Sequence, residues 1–261
     1  MNFEQHGAGP PVVLVHGLGA SLFSWRDVVQ ALSPDFTTYA VDLLGFGGSP
    51  APAGFPYTIA AQAQAVAAFM NAQGIADPIL IGHSMGGGVC LHLADMASRA
   101  AAPSTSRMVL IDPVAYPPIH TLPQSGQAAG ADEAAGGLPL SPAHALARFF
   151  LSRAYAPGNQ PTAEQINGYA AGLSSWGQLQ AFNLHGANLG STEAPLPSFA
   201  SITNETLIIW GDQDRIVPAA DGVRLDAALP NSSLMTIANS GHVPHEEQPA
   251  ATIAAISDFL K

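Results

Sequence analysis

The stretch Ile79-Leu80-Ile81-Gly82-His83-Ser84-Met85-Gly86-Gly87-Gly88 decides the fold. Its first three residues are continuously apolar and stand between Pro78 and Gly82, as in a short strand buried on both faces. From Met85 to Ser98 the pattern becomes that of an apolar helix. Between them Gly82-His83-Ser84-Met85-Gly86 fits G-x-S-x-G. A serine that must stand clear of a sheet needs a sharp strand-to-helix turn with strained backbone angles. That turn is tolerated where the residues two away on either side carry no side chain. Ser84 is therefore a candidate nucleophile, and the glycines at 87 and 88 let the following helix pack closely.

The same alternation extends in both directions. Apolar runs at Val12–Val15, Phe36–Val41, Met108–Ile111, Leu207–Trp210 and Leu234–Ile237 predict further strands. Helical stretches are predicted at Ser24–Leu32, with Ser24 as N-cap, at Thr58–Gln73, stopping at Gly74, at Ala219–Leu229 and at Glu246–Leu260. Strands alternating with helices imply α/β architecture with right-handed crossovers. The alternation stops between residues 113 and 201. The first half of that stretch is crowded with Pro, Gly and Ala, and Gln127–Gly137 approaches low complexity; the second half predicts helices near Pro142–Tyr155, Thr162–Leu173 and Trp176–Asn188. An insertion of this size between two strands reads as a lid or cap. The expected division is a core of residues 1–112 and 202–261 with a cap of residues 113–201.

Composition narrows the function classes. The chain has 261 residues, 8 Lys+Arg and 19 Asp+Glu, for a formal net charge of −11. That balance, with Lys261 the one lysine, argues against nucleic acid and anionic membrane surfaces. No window approaches the roughly 18 apolar residues of a spanning helix. Met1–Gly9 shows neither a basic n-region nor a long apolar stretch, so no secretory signal is expected and the cytoplasm is the expected compartment. A single cysteine, Cys90, excludes an internal disulfide and a cysteine-based zinc site, and is read as a small buried apolar residue.

A serine hydroxyl needs a base, and the base needs an orienting acid. Trp210-Gly211-Asp212-Gln213-Asp214-Arg215 follows the fifth of these apolar runs and Gly241-His242-Val243-Pro244-His245 follows the sixth. Loops after neighbouring parallel strands open on one edge of the sheet, where Ser84 also lies. His242 is favoured as base over His245, which stands near the start of the last helix. Asp214 is favoured as acid over Asp212, which belongs to the turn directly after the strand. Backbone N–H groups of Leu18, in His16-Gly17-Leu18-Gly19, and of Met85 are the expected oxyanion donors. His242, His245, Glu246 and Glu247 match no H-E-x-x-H zinc spacing, and neither G-x-G-x-x-G nor G-x-x-x-x-G-K-[ST] occurs, so no metal and no cofactor are expected.

Together these segments resemble the α/β-hydrolase superfamily. The resemblance rests on Val12-Val13-Leu14-Val15-His16-Gly17-Leu18-Gly19, on Asp42-Leu43-Leu44-Gly45-Phe46-Gly47-Gly48-Ser49, on Gly82-His83-Ser84-Met85-Gly86-Gly87, on Trp210 to Pro218, and on Gly241-His242-Val243-Pro244. It implies an eight-stranded, mostly parallel sheet flanked by helices, a helical cap, Ser84 as nucleophile, His242 as base and Asp214 as acid. Haloalkane dehalogenases and epoxide hydrolases of this superfamily use an Asp nucleophile, unlike Ser84. Its carbon–carbon bond hydrolases carry Asn before the nucleophile and Trp after the catalytic His, where this chain has His83 and Val243.

The resulting expectation is a serine hydrolase that cleaves carboxylic esters of small to medium, mainly apolar substrates through an acyl-enzyme. It would act without cofactor as a monomer or homodimer. The alternatives are a carbon–carbon bond hydrolase of a vinylogous diketone, a perhydrolase or haloperoxidase-type activity, and a non-catalytic small-molecule receptor. Gly17, His83, Phe149, Trp176, Phe182 and Val243 are the candidate substrate contacts, with Phe150, His120 and His185 as further cap residues; His185 is expected at the surface.

Overall fold

A computed structural model of the chain describes residues 1–116, 141–189 and 196–261. His120 and the 127–137 stretch lie outside the described residues. The strands are β1 (Asn2–His6), β2 (Pro11–Val15), β3 (Thr37–Asp42), β4 (Ile79–His83), β5 (Arg107–Ile111), β6 (Glu205–Gly211) and β7 (Ser232–Ile237). They form one sheet in the order β1-β3-β2-β4-β5-β6-β7. β1 runs antiparallel to β3, and every other pairing is parallel.

Among the described residues the sheet therefore has seven strands, one fewer than the resemblance implies. Residues before Pro11 supply a single edge strand, β1, and its sequence NFEQH gave no signal because it is an edge. Its side chains are mostly exposed, so no apolar pattern is required of it.

Period-two alternation explains why the central strands are continuously apolar. Val12, Leu14, Ile79, Ile81, Val109, Ile111, Leu207 and Ile209 pack on one face with Trp25, Val28, Leu32 and Ile256. Val13, Val15, Leu80, Met108, Leu110 and Ile208 pack on the other with Val66, Met70, Val89 and Leu93. The first face is covered by α1 (Arg26–Leu32) and α9 (Pro249–Leu260), and the second by α2 (Ile59–Gln73) and α3 (Met85–Ser98). Each of these central strands thus feeds two cores.

Helix boundaries follow local chemistry. Thr58 Oγ1 caps α2 by accepting from Ala61 N–H at 3.1 Å. Ser24 is not an N-cap. Ser21 caps a 3₁₀ turn at Leu22–Trp25, and Ser24 instead donates to Tyr169 Oη at 3.2 Å. The expected helix Glu246–Leu260 is two helices, α8 (Pro244–Glu247) and α9, because Pro249 pushes Gln248 out of the helical region, to φ −130° and ψ 58°. Pro230 likewise ends α7 (Ala219–Ala228) by holding Leu229 extended.

Between β5 and β6 lie α4 (Pro142–Ala154), α5 (Ala163–Ala171) and α6 (Trp176–Leu189), with no strand among the described residues of this stretch. Ser141 and Pro142 start α4, and a Thr162–Gln165 capping box starts α5. This helical stretch is tied to the sheet-bearing part by buried polar contacts. Tyr169 Oη donates to Glu246 Oε1 at 2.6 Å, Arg26 reaches the other oxygen of Glu246 at 3.1 Å, and Gln178 Nε2 donates to the Gly47 carbonyl at 2.6 Å. No helix among the described residues is long and apolar enough to cross a membrane.

Candidate active site

The strand order places a crevice at one point. The chain leaves β2 toward β3 on one side and returns to β4 on the other, so loops diverge at the carboxyl ends of β2 and β4. Ser84 follows β4 directly, and Gly17 and Leu18 follow β2. Ser84 has φ 53° and ψ −120°, a conformation that non-glycine residues rarely adopt. The turn is fixed by its backbone: Ser84 N–H donates to Ile111 O at 2.9 Å, while Ser84 O accepts from Val114 N–H at 2.9 Å. The two glycines of the motif are needed because chain passes against chain. A Cβ on Gly82 would lie 2.5 Å from the Gly86 carbonyl oxygen, and one on Gly86 would strike the carbonyls of Val15 and His16.

Three distant side chains meet there. His242 Nε2 lies 2.9 Å from Ser84 Oγ, and His242 Nδ1 lies 2.8 Å from Asp214 Oδ2. The imidazole is 1% exposed and the Asp214 carboxylate is wholly buried. Asp214 Oδ1 accepts from the N–H groups of Ile216 at 2.7 Å and Val217 at 3.1 Å, which fixes the carboxylate toward the ring. Asp212 lies elsewhere, accepting from Ser240 N–H. His245 is also not in this chain of contacts: it is buried, stacks on Trp25 with centroids 4.9 Å apart, and neither ring nitrogen has a partner. Burial lowers its pKa to about 3, so the ring is neutral.

The loop bearing Leu18 runs against the serine, since a Cβ on Gly17 would fall 3.0 Å from Ser84 Cβ. His16 holds that loop: its Nδ1–H donates to Gly17 O at 2.8 Å and its Nε2 accepts from Leu43 N–H at 3.0 Å. Met85 is the first residue of α3, where helix N–H groups have no intrahelical acceptor.

Other candidate contacts fall differently. His83 Nε2–H donates to the His242 carbonyl at 2.7 Å, so this ring braces the loop that carries His242. Burial, with the neighbouring imidazoles of His245 and His242, holds its pKa well below the usual value. Val243 is buried in the core and starts α8. Phe182 is buried against the Gly19 backbone. Phe150 packs edge-on to it at 6.4 Å. Trp176, at the first position of α6, is 74% exposed. Phe149 is half-buried, with the Arg153 guanidinium carbon 4.7 Å above its ring centroid. His185 is not a surface residue: it is buried, 2.9 Å from Gln62 Nε2, and burial lowers its pKa to about 3.

Three contributors escaped the sequence reading. Glu247 accepts from Gly241 N–H at 2.8 Å through one oxygen, and from Ala156 N–H and Asn159 Nδ2 at 2.8 Å each through the other. Arg215 donates to the carbonyls of Ser152, Arg153 and Tyr155 at the end of α4. His242 N–H itself donates to Ala154 O at 2.6 Å. The loops carrying Asp214 and His242 thus both grip the same end of α4. The third is Asp112, at the end of β5, whose Oδ1 accepts from Gly211 N–H at 2.9 Å. Among the described residues, Asp112, Asp214 and His242 form the one group of three potential metal-ligating side chains, with ligand atoms within 4.8 Å of one another; Asp214 and His242 are already bonded together.

The profile of the alpha/beta hydrolase fold family matches residues 10–249. The chain belongs to that family. Among curated relatives, it is 31% identical over 256 residues to the dihydrolipoyllysine-residue acetyltransferase component of the acetoin cleaving system of Cupriavidus necator, covering 95% of this chain but 63% of that protein's length. It is 29% identical over 274 residues to the uncharacterized hydrolase YugF of Bacillus subtilis, covering 99% of this chain and 94% of the other. A thermophilic esterase from Thermogutta terrifontis, solved with malate bound, superposes with a TM-score of 0.77 at 26% identity, over 99% of this chain and 92% of its own. As a member of this family the chain has a hydrolase fold, and the seven-stranded sheet with helices on both faces is that fold.

Proposed function

We propose that the chain is a serine hydrolase that cleaves carboxylic esters of small to medium, mainly apolar substrates by two-step acyl transfer. The observation that carries this reading is the unbroken run Ser84 Oγ–His242 Nε2 at 2.9 Å and His242 Nδ1–Asp214 Oδ2 at 2.8 Å, built on a strained strand-to-helix turn. The esterase neighbour at 26% identity is consistent with it.

In the first step Ser84 Oγ attacks the ester carbonyl and His242 Nε2 takes its proton. Asp214 keeps the ring proton on Nδ1, so that Nε2 presents a lone pair to the hydroxyl. The N–H groups of Leu18 and Met85 receive the oxyanion. His242 then protonates the leaving alcohol, and water releases the acyl group by the same route. These steps close without a cofactor. The helices α4, α5 and α6 act as a cap over this centre, and Phe182, buried against the Leu18 loop, is the cap aromatic best placed to shape the acyl side.

The test is hydrolysis of p-nitrophenyl acetate and butyrate by the wild type and by Ser84→Ala, with fluorophosphonate labelling read by peptide mass. The expected result is turnover lost in the variant and a label on Ser84. Equal rates in the two proteins would remove the proposal and favour the receptor reading.

A further inference from the structure

Asp112 is a buried carboxyl that the mechanism above does not use. It is 0% exposed, and one oxygen, Oδ1, accepts the Gly211 N–H. The other, Oδ2, is buried without a donor: no N–H or hydroxyl donates to it. A carboxylate with a bare, buried oxygen is strongly disfavoured. What does face it is a second carboxyl. Asp112 and Asp214 sit at the ends of adjacent parallel strands, with oxygen atoms within 4.8 Å of each other and of a His242 ring nitrogen.

The two carboxyls are not equivalent. Asp214 has two backbone N–H groups on Oδ1 and the His242 ring on Oδ2. Asp112 has the single Gly211 N–H. The donor inventory assigns the negative charge to Asp214 and a proton to Asp112.

We propose that Asp112 is a positioning residue whose carboxyl O–H donates a hydrogen bond to the Asp214 carboxylate, adding a fourth member to the Ser84–His242–Asp214 run. The bond directs the Asp214 oxygens and draws off part of their basicity, so the ring proton stays on His242 Nδ1. Every charged neighbour pushes the same way. Burial and the Asp214 charge raise the Asp112 carboxyl well above the usual carboxylate range, Glu247 adds to this, and the Gly211 N–H opposes it. The Arg215 guanidinium, which follows Asp214 in sequence, is directed to the carbonyls at the end of α4.

The kinetic half of the test rests on the ester-hydrolase reading; the spectroscopic half does not. Asp112→Asn can keep both contacts, with its amide oxygen toward Gly211 N–H and its NH₂ toward Asp214. Asp112→Ala keeps neither. The infrared spectrum of the wild type at pH 7 should show a protonated-carboxyl C=O band that Ser84→Ala retains and Asp112→Asn lacks. With p-nitrophenyl butyrate, Asp112→Asn should hold kcat and the pH profile within about twofold, whereas Asp112→Ala should lose about tenfold or more in kcat with KM little changed. A wild-type spectrum without that band overturns the proposal, whether or not the protein turns over esters. So does an Asp112→Asn variant that falls as far as Asp112→Ala. If the wild type hydrolyses no ester, the ester reading fails while the band still decides Asp112; if Asp112→Ala does not fold, the band and the Asp112→Asn rates decide.

Discussion

His245 offers a stability prediction that can be worked to a magnitude. Its ring is buried between Trp25, at 4.9 Å, and His83, at 4.7 Å, and no hydrogen bond reaches either nitrogen. Its folded pKa is about 3 against 6.5 when unfolded, mainly through burial and then through Arg26 and His242. A histidine whose folded pKa is lowered binds fewer protons folded than unfolded between those two values. Its stability contribution is therefore intact above pH 6.5 and is lost as pH falls toward 3. At pH 5.0 the unfolded ring lies 1.5 pH units below its 6.5, which at about 1.36 kcal/mol per unit costs the fold about 2 kcal/mol. His245→Phe removes that term. At pH 7.5 the variant regains the desolvation of an unpaired N–H but packs a larger ring, two effects of about 1–3 kcal/mol each in opposite directions. The informative quantity is therefore the difference between pH values. Urea unfolding of both proteins at pH 7.5 and 5.0 should show the wild type losing about 2 kcal/mol more than the variant over that interval. His185, also near 3, falls with pH in both proteins, and the raised carboxyls of Asp112 and Glu246 work the other way in both, so the subtraction cancels them. Losses equal within about 0.5 kcal/mol, the usual error of additivity, would refute a buried, neutral His245.

Further outcomes follow from single contacts. Glu247→Ala strands the N–H groups of Gly241 and Ala156 and should cost about 2 kcal/mol in urea unfolding, with kcat falling more than KM because the His242 loop loses its brace. Gly86→Ala drives a methyl into the Val15 carbonyl, so the variant should fail to take up fluorophosphonate at Ser84 even where circular dichroism still reports helix. Trp176→Ser, at a 74% exposed position, should leave stability within about 0.5 kcal/mol and KM for short esters unchanged. Burial pushes the Cys90 thiol up, so native protein should resist iodoacetamide and react only once unfolded, as peptide mass will show.

What could be read from the chain alone was whatever a local rule enforces. Strands such as Val12–Val15 and Met108–Ile111 sit between two cores, so both of their faces had to be apolar and no polar residue interrupts the signal. The turn at Ser84 declared itself because its glycines are demanded by carbonyl oxygens with which a Cβ would collide. β1 was silent for the opposite reason: a polar edge strand has one neighbour and little to bury. The split between α8 and α9 was written in Pro249, yet the apolar pattern of the last fifteen residues concealed it.

The residues that escaped notice have in common that their roles exist only across large sequence separations. Asp112 merely follows the apolar run Met108–Ile111 in sequence, and its oxygen meets Asp214 only because β5 and β6 are neighbours in the sheet. Glu247 looked like one of several acids near a histidine, but it joins Gly241 to residues 156 and 159. Arg215 reaches back some sixty positions to cap α4. These contacts bind the two loops that carry Asp214 and His242 to one end of the inserted helices. A displacement of the α4 end therefore cannot leave His242 where it is, since its own N–H is bonded to Ala154 O at 2.6 Å. The insertion is consequently part of what holds the imidazole 2.9 Å from Ser84, and substitutions along residues 152–159 should alter turnover as well as substrate preference.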